Sequence, residues 1–431
     1  MNGLCDRRAF LASAATGSML GLAGCLSGDA EQVSTDDVTP SVPSADPDAD
    51  VSWESFQYDA TNTGHAPGVG PTADVEMLWD FPTDDSVYSS PAVVDGTVYV
   101  ASMDGSLYAI GADDGDERWS FATDDSITSS PAVVDGTVYV GSMDGTVYAL
   151  PADGDGTQPE PTWTFDTGEG VAASPTVADS VVYIGSNDGH LYALDATDGD
   201  LLWAFPAEES IMRAPAVADG TVYFGSTDYS LYAVDIDTAA DQWREGADED
   251  SDDGEADNPI DERWRVETGN RIQSRPTVAD GVVYVGSNDD LLYAVEANSG
   301  DIRWTFQTSG SVTASPAVTE HAVYAASFDN YVHALSPAAG PEPDDDDETA
   351  SPETYFWAES GFQGVRSSPV VVGDALYVGN EHGTVRSLSA ETGETNWQFT
   401  TEGWVASSPA VVDGVVYIGS GDGSVYALEE V

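Results

Sequence analysis

The chain is 431 residues long and carries 77 acidic residues against 12 basic ones, a formal net charge of −65. All twelve basic residues are arginine. Charge of this sign repels other polyanions, which argues against nucleic acid as a partner, and the five scattered histidines and two cysteines provide no metal-ligand spacing.

The N-terminal segment reads as an export signal. Arg7-Arg8-Ala9-Phe10-Leu11 is a twin-arginine string followed by a mildly apolar stretch, and Leu22-Ala23-Gly24-Cys25 has the form of a lipobox. Residues 1–24 are therefore expected to be a signal peptide, with Cys25 as the lipid-attachment residue. Cys5 lies in the removed part, so the mature chain is expected to have no disulfide. Residues 25–50 are rich in Ser, Thr, Asp and Pro and read as a solvated tether. Residues 51–74 bring back aromatic side chains and are expected to pack on the domain that follows.

From residue 75 to 431 the chain repeats. Trp79, Trp119, Trp163, Trp203, Trp264, Trp304, Trp357 and Trp397 are spaced 40, 44, 40, 61, 40, 53 and 40 residues apart, and each is answered by a Ser-Pro-Ala-Val-like string. A fixed period of this size marks a propeller or solenoid. Within residues 85–119, Asp95-Gly96 and Asp104-Gly105 separate short runs of strand formers, which predicts hairpins, and a fourth run surrounds Trp119 and Phe121. Four antiparallel strands make a blade, and no helical periodicity is evident. The tryptophans are read as packing between blades. The last repeat ends at Val431 after its third strand, whereas the Trp79 strand has no three strands before it. The Trp79 strand is therefore predicted to complete the last blade and close an all-β, eight-bladed propeller.

The repeat S-P-A-V-V-D-G-T-V-Y-V-G-S-x-D-G-x-[LV]-Y-A-L, followed by turns such as Asp195-Ala196-Thr197-Asp198-Gly199-Asp200 before Trp203, resembles the pyrroloquinoline-quinone (PQQ)-like propeller repeat. The resemblance implies the eight-bladed fold and leaves two functional branches. Quinoprotein dehydrogenases imply PQQ over a calcium ion, with a vicinal cysteine pair and Glu, Asn and Asp ligands, none of which is evident here. The other branch is similar to the propeller lipoprotein of the bacterial outer-membrane barrel-assembly machine, which takes no quinone. The lysine-free, aspartate-rich composition resembles that of salt-in halophiles, haloarchaea above all; at molar salt the Debye length falls to about 3 Å and self-repulsion fades.

Departures from the repeat point to a site. Ahead of the proline most repeats carry small residues, but Tyr88, Arg213, Arg271, Gln273, Arg275, Arg366 and Trp404 are large or charged. Their arginines are read as falling at corresponding positions at one mouth of the channel. There a guanidinium fork suits a carboxylate or phosphate. The alternative is that they pair with Asp85, Asp125, Glu169 and Glu209 in the same loops. The inserts at 151–161, 236–261 and 336–355 fall between third and fourth strands, on the opposite face, and read as solvated loops. No catalytic motif or metal site is recognised, and no cofactor is expected, with PQQ kept as the alternative. The overall expectation is a monomeric, lipid-anchored binding or scaffolding propeller at the extracellular face of the membrane, with a protein partner or an anionic small molecule at the funnel.

Overall fold

A computed structural model of the chain describes residues 52–154, 158–247, 260–338 and 355–431. The twin-arginine string, Cys25 and the tether lie outside the described residues. Eight antiparallel sheets follow one another along the chain. Blade 1 is built from Ala92–Val94, Thr97–Ala101, Ser106–Gly111 and Glu117–Ala122, and blades 2 to 7 repeat the order at 132–166, 176–206, 216–267, 277–307, 317–360 and 370–400. Blade 8 takes three strands from 410–430 and its fourth from Val75–Pro82, with Trp79 opposite Ala427 and Phe81 opposite Val425. The predicted closure is the observed one.

Each element of the repeat has a mechanical role. Asp95 and Gly96 both adopt positive φ (48° and 66°), the pair of left-handed residues a tight hairpin needs. In the second hairpin Asp104 is a hub. Its Oδ1 accepts from the Ser106 N–H, and its Oδ2 accepts from the Tyr108 hydroxyl and from the Asp84 N–H of the preceding connection. The same carboxylate, hydroxyl and loop N–H recur at Asp144, Asp188, Asp228, Asp289 and Asp422. Part of the acidic excess is thus structural. Blade 6 keeps the latch with another side chain: His333 Nε2 lies 2.9 Å from Asp329 where six blades have tyrosine and blade 7 has Arg386.

The tryptophans lock blade to blade. Trp79 donates its indole N–H to the Ala112 carbonyl of blade 1 at 2.8 Å while its ring tilts against Tyr417 of its own blade. Trp119, Trp163, Trp264, Trp304 and Trp357 make the equivalent bond 33 residues on. Trp397 bonds instead to the Pro71 carbonyl just ahead of the closing strand. Glycine is required where the ring docks: a Cβ on Gly199, at φ +77°, would come within 2.7 Å of Trp163.

Two features depart from the sequence reading. Residues 236–247 of the second insert are not a loop but helix α1 (Ile236–Ala247). Ile236, Ala239, Ala240 and Trp243 pack it onto the core around Trp203 and Tyr183, an i, i+3, i+4, i+7 stripe. The segment at 53–66 does more than pack on the outside. Its carbonyls accept the N–H groups of Val93, Val133, Val217, Val278, Val318 and Val371, the inner strands of six blades. The Gln57 amide donates to the Ser315 and Pro369 carbonyls, and the Asn62 amide to those of Pro215 and Pro276. His65–Ala66 then pairs parallel with Val371 and Val372 as a fifth strand on blade 7. This strap occupies the channel below the ring of prolines and gives it a floor.

Candidate functional site

The mouth of the channel is framed by a belt of serines. The N–H of Ser90 donates to the Ser130 hydroxyl of the next blade, Ser130 to Ser174, Ser315 to Ser368, Ser368 to Ser408, and Ser408 back to Ser90. The residue before it, Ser89, Ser129 or Ser274, bonds to the second strand of its own blade. The Ser-Ser-Pro string therefore ties each inner strand both outward and sideways. The belt is interrupted at two neighbouring blades, where Ala214 and Arg275 stand in place of its serine.

At that interruption the arginines enter. Arg213 and Arg275 stand two and one residues before their prolines, and Arg366 three before its own. They are not at corresponding positions, as the sequence suggested, but at three successive levels of the inner wall. All three line one cavity of about 220 Å³, together with Tyr88 and Gln273. The four remaining blades contribute Thr128, Ala172, Thr313 and Ala406, small side chains that leave the space open, and Met212 stands beside Arg213.

Arg271 and Trp404 are different. Both stand five residues before a proline, farther out on the rim. Arg271 is exposed and does not line the cavity. Trp404 packs against Tyr88 with ring centroids 4.2 Å apart, and so reaches the cavity only through that partner.

Two of the three guanidiniums in the cavity are held by neutral groups. Arg213 donates through Nε to the Gln273 carbonyl at 2.9 Å. Arg275 reaches back across two blades and donates through Nη2 to the Ser174 hydroxyl at 3.2 Å, spanning the break in the belt. Its guanidinium lies 3.4 Å from the centroid of the Phe56 ring on the strap, a cation–π contact worth about 2 kcal/mol when desolvated. Arg275 Nε has no hydrogen-bond acceptor among the described residues. Arg366 alone is paired with a carboxylate, Glu381, and also faces the Phe328 ring.

Asp85, Asp125, Glu169 and Glu209 form no ion pair with these arginines among the described residues; Asp85 and Asp125 instead cap the N–H groups of Ser86 and Ser126. Burial, and then the charge of Arg366, push the Arg213 guanidinium below its ordinary value, opposed by Tyr88. Burial and the charge of Arg213 do the same to Arg275, more strongly. A guanidinium does not give up its proton in a protein. The arrangement therefore holds two enclosed positive charges that favour a counter-charge.

Sequence reasoning missed Phe56, Ser174 and the Gln273 carbonyl. The aromatic residue in a segment outside the repeat was the available signal for Phe56. Ser174 looked like any other serine of the consensus.

Residues 71–159, 155–259, 257–342 and 349–431 match, in four successive stretches, the PQQ_2 family model, described as outer membrane protein assembly factor BamB. The chain belongs to this family. A comparison with curated proteins finds no match. Among solved structures, BamB from Moraxella catarrhalis is 20% identical and superposes with a TM-score of 0.64 over 83% of this chain and 98% of that one. The computationally designed Ika8 protein is 16% identical, with a TM-score of 0.66 over 82% of this chain and 99% of that one. A quinohemoprotein alcohol dehydrogenase, ADHIIG from Pseudomonas putida HK5, is 15% identical, with a TM-score of 0.66 over 88% and 80%. At these identities the structural likeness shows the shared fold alone.

The quinone branch is tested by the donor set. Calcium beside a quinone needs converging oxygen ligands, and among the described residues no three His, Cys, Asp or Glu side chains come together as a metal site. The polar groups lining the cavity are guanidinium, amide, phenol and hydroxyl, with no carboxylate among them, and the nearby Glu381 is engaged by Arg366. These residues do not fit a calcium–quinone pair.

Proposed function

We propose that this protein is a lipid-anchored binding propeller at the extracellular face of the cell membrane, whose funnel holds an anionic group of a small molecule or of a protein partner. The observation that carries the reading is the meeting of Arg213 and Arg275 in one cavity without a carboxylate partner, in a chain of net charge −65. Elsewhere Arg244, Arg265 and Arg303 are paired with carboxylates, whereas Arg118, Arg263 and Arg386 bond to neutral oxygens outside the cavity. A family described as an assembly factor supports a binding rather than a catalytic role. The twin-arginine string and Cys25 support export and anchoring, and the closed ring supports a monomer.

The reading is tested by thermal-shift measurements in molar salt across a panel of anionic, neutral and cationic compounds, PQQ with and without calcium among them. Anions are expected to raise the melting temperature of the wild type and not of an Arg213→Gln/Arg275→Gln variant. Equal shifts from neutral or cationic compounds, or shifts retained in the variant, contradict it. A shift by PQQ that requires calcium would turn the assignment toward the quinone branch.

A further inference from the structure

The geometry of the cavity bears on how much negative charge the funnel takes. Arg366 is neutralised by Glu381. Arg213 and Arg275 make their bonds to a carbonyl and a hydroxyl, which carry no formal charge. The local sum is two positive charges. At molar salt, where charges more than about 3 Å apart are screened, the remote carboxylates of the surface do not alter that sum.

The free donors agree with the count. Arg213 spends Nε on Gln273 and keeps both terminal nitrogens; Arg275 spends Nη2 on Ser174 and keeps Nη1 and the unpartnered Nε. Arg213 thus retains the Nη1–Nη2 edge of its fork for a two-pronged contact, and Arg275 retains Nη1 as a single donor. Gln273 accepts from the Asn288 amide through its Oε1, which leaves its own amide N–H groups as donors beside the cavity. Liquid water takes about 30 Å³ per molecule, so a cavity of about 220 Å³ holds a compact organic ion or a handful of waters.

We infer that the funnel takes a compact dianion, either two carboxylates on one small molecule or a single phosphoryl or sulfate group, with Arg213 and Arg275 each answering one charge. This rests on the funnel being an anion site. Phe56 belongs to the site as its floor, because it sets the plane of the Arg275 guanidinium, and the strap that carries it is the segment leading back toward the N-terminus.

Calorimetric titration of the full chain at constant high ionic strength, with acetate, malonate, chloride and sulfate as probes, tests the charge count. The dianions are expected to bind at least about tenfold more tightly than the monoanions. Arg213→Gln and Arg275→Gln should each erase that preference while weakening acetate little. Arg213→Lys, which keeps the charge and loses the fork, should retain the preference and so separates lost charge from lost folding. Malonate tighter than sulfate assigns paired carboxylates, and the reverse assigns a tetrahedral oxyanion. If acetate binds as tightly as malonate and Arg213→Gln weakens both, the funnel remains an anion site and the dianion inference fails. If no probe binds to the wild type, both fail.

Discussion

The Arg275 guanidinium lies over the Phe56 ring, 3.4 Å from its centroid. One partner comes from the inner strand of blade 5 and the other from the strap that threads the channel, so the candidate site and the floor of the propeller are one packing unit. Phe56 is itself buried, at 3% exposure.

Replacing Phe56 by alanine should therefore act twice. Truncating a buried phenylalanine costs about 3–5 kcal/mol, which denaturant titration of the full chain will read as a lower midpoint. Arg275 also loses the ring that orients it, so anion binding should fall in a variant that is still folded. A midpoint unchanged from the wild type would mean that the strap is not held in the channel.

The serine belt makes a local prediction. Ser130→Ala removes the acceptor of the buried Ser90 N–H, and an unpaired buried donor costs about 1–3 kcal/mol. The Ser90 amide should then exchange with solvent faster while amides on the far side of the ring keep their protection. Ala214→Ser should restore an acceptor for the Ser174 N–H and leave stability equal or higher.

Protonation of the Asp188 hub should lower the stability of the fold in acid. Burial alone would raise the Asp188 carboxyl, but hydrogen bonds from His190, Tyr192 and the Gly168 N–H outweigh it and hold the group well below the usual carboxylate range. A depressed carboxylate contributes stability that is present above its unfolded value of about 3.9 and is lost as pH falls through its folded value. The hydrogen bond that His190 donates to Asp188 in turn raises His190, partly opposed by burial. That contribution is fully present below about pH 6.5 and lost as pH rises through the folded value. Urea midpoints measured against pH should show both slopes in the wild type and shallower ones in Asp188→Asn.

The phenols of the same latches give an alkaline counterpart. Burial, with the hydrogen bond and charge of the partner carboxylate, pushes Tyr148 up to about 12; Tyr108, Tyr232 and Tyr426 are likewise raised to about 12, again chiefly by burial. Their neutral forms favour the folded state at pH values below about 10, and that stability is lost as pH rises through about 12. Phenolate absorbance should therefore appear late, and together with unfolding. Phenolate formation near pH 10 in folded protein that is lost in Tyr148→Phe would show that this latch is open.

Much of the architecture was legible because it repeats. A tryptophan that must reach a carbonyl 33 residues on, and a glycine that must make room for it, recur in sequence as they recur in space. What occurs once was harder to read. The strap binds through the backbone carbonyls of residues such as Ala60 and Thr61, whose side chains carry no trace of the role. Helix α1 did carry a signal, apolar residues at 236, 239, 240 and 243, but it was hidden by the acidic stretch that follows. At the site, the arginines stood out from the consensus, while their depths did not. Counting back to the proline separates Arg275, Arg213 and Arg366 from the rim position of Arg271, and that count has meaning only once the inner strand is known to descend the channel wall.

The central claim is that an anion sits between Arg213 and Arg275, and anomalous diffraction from crystals soaked in selenate tests it most directly. The account predicts a selenium peak within hydrogen-bond reach of both guanidiniums, above the Phe56 ring, that disappears in Arg213→Gln/Arg275→Gln. Selenate on exposed arginines such as Arg271, with none between Arg213 and Arg275, would contradict it.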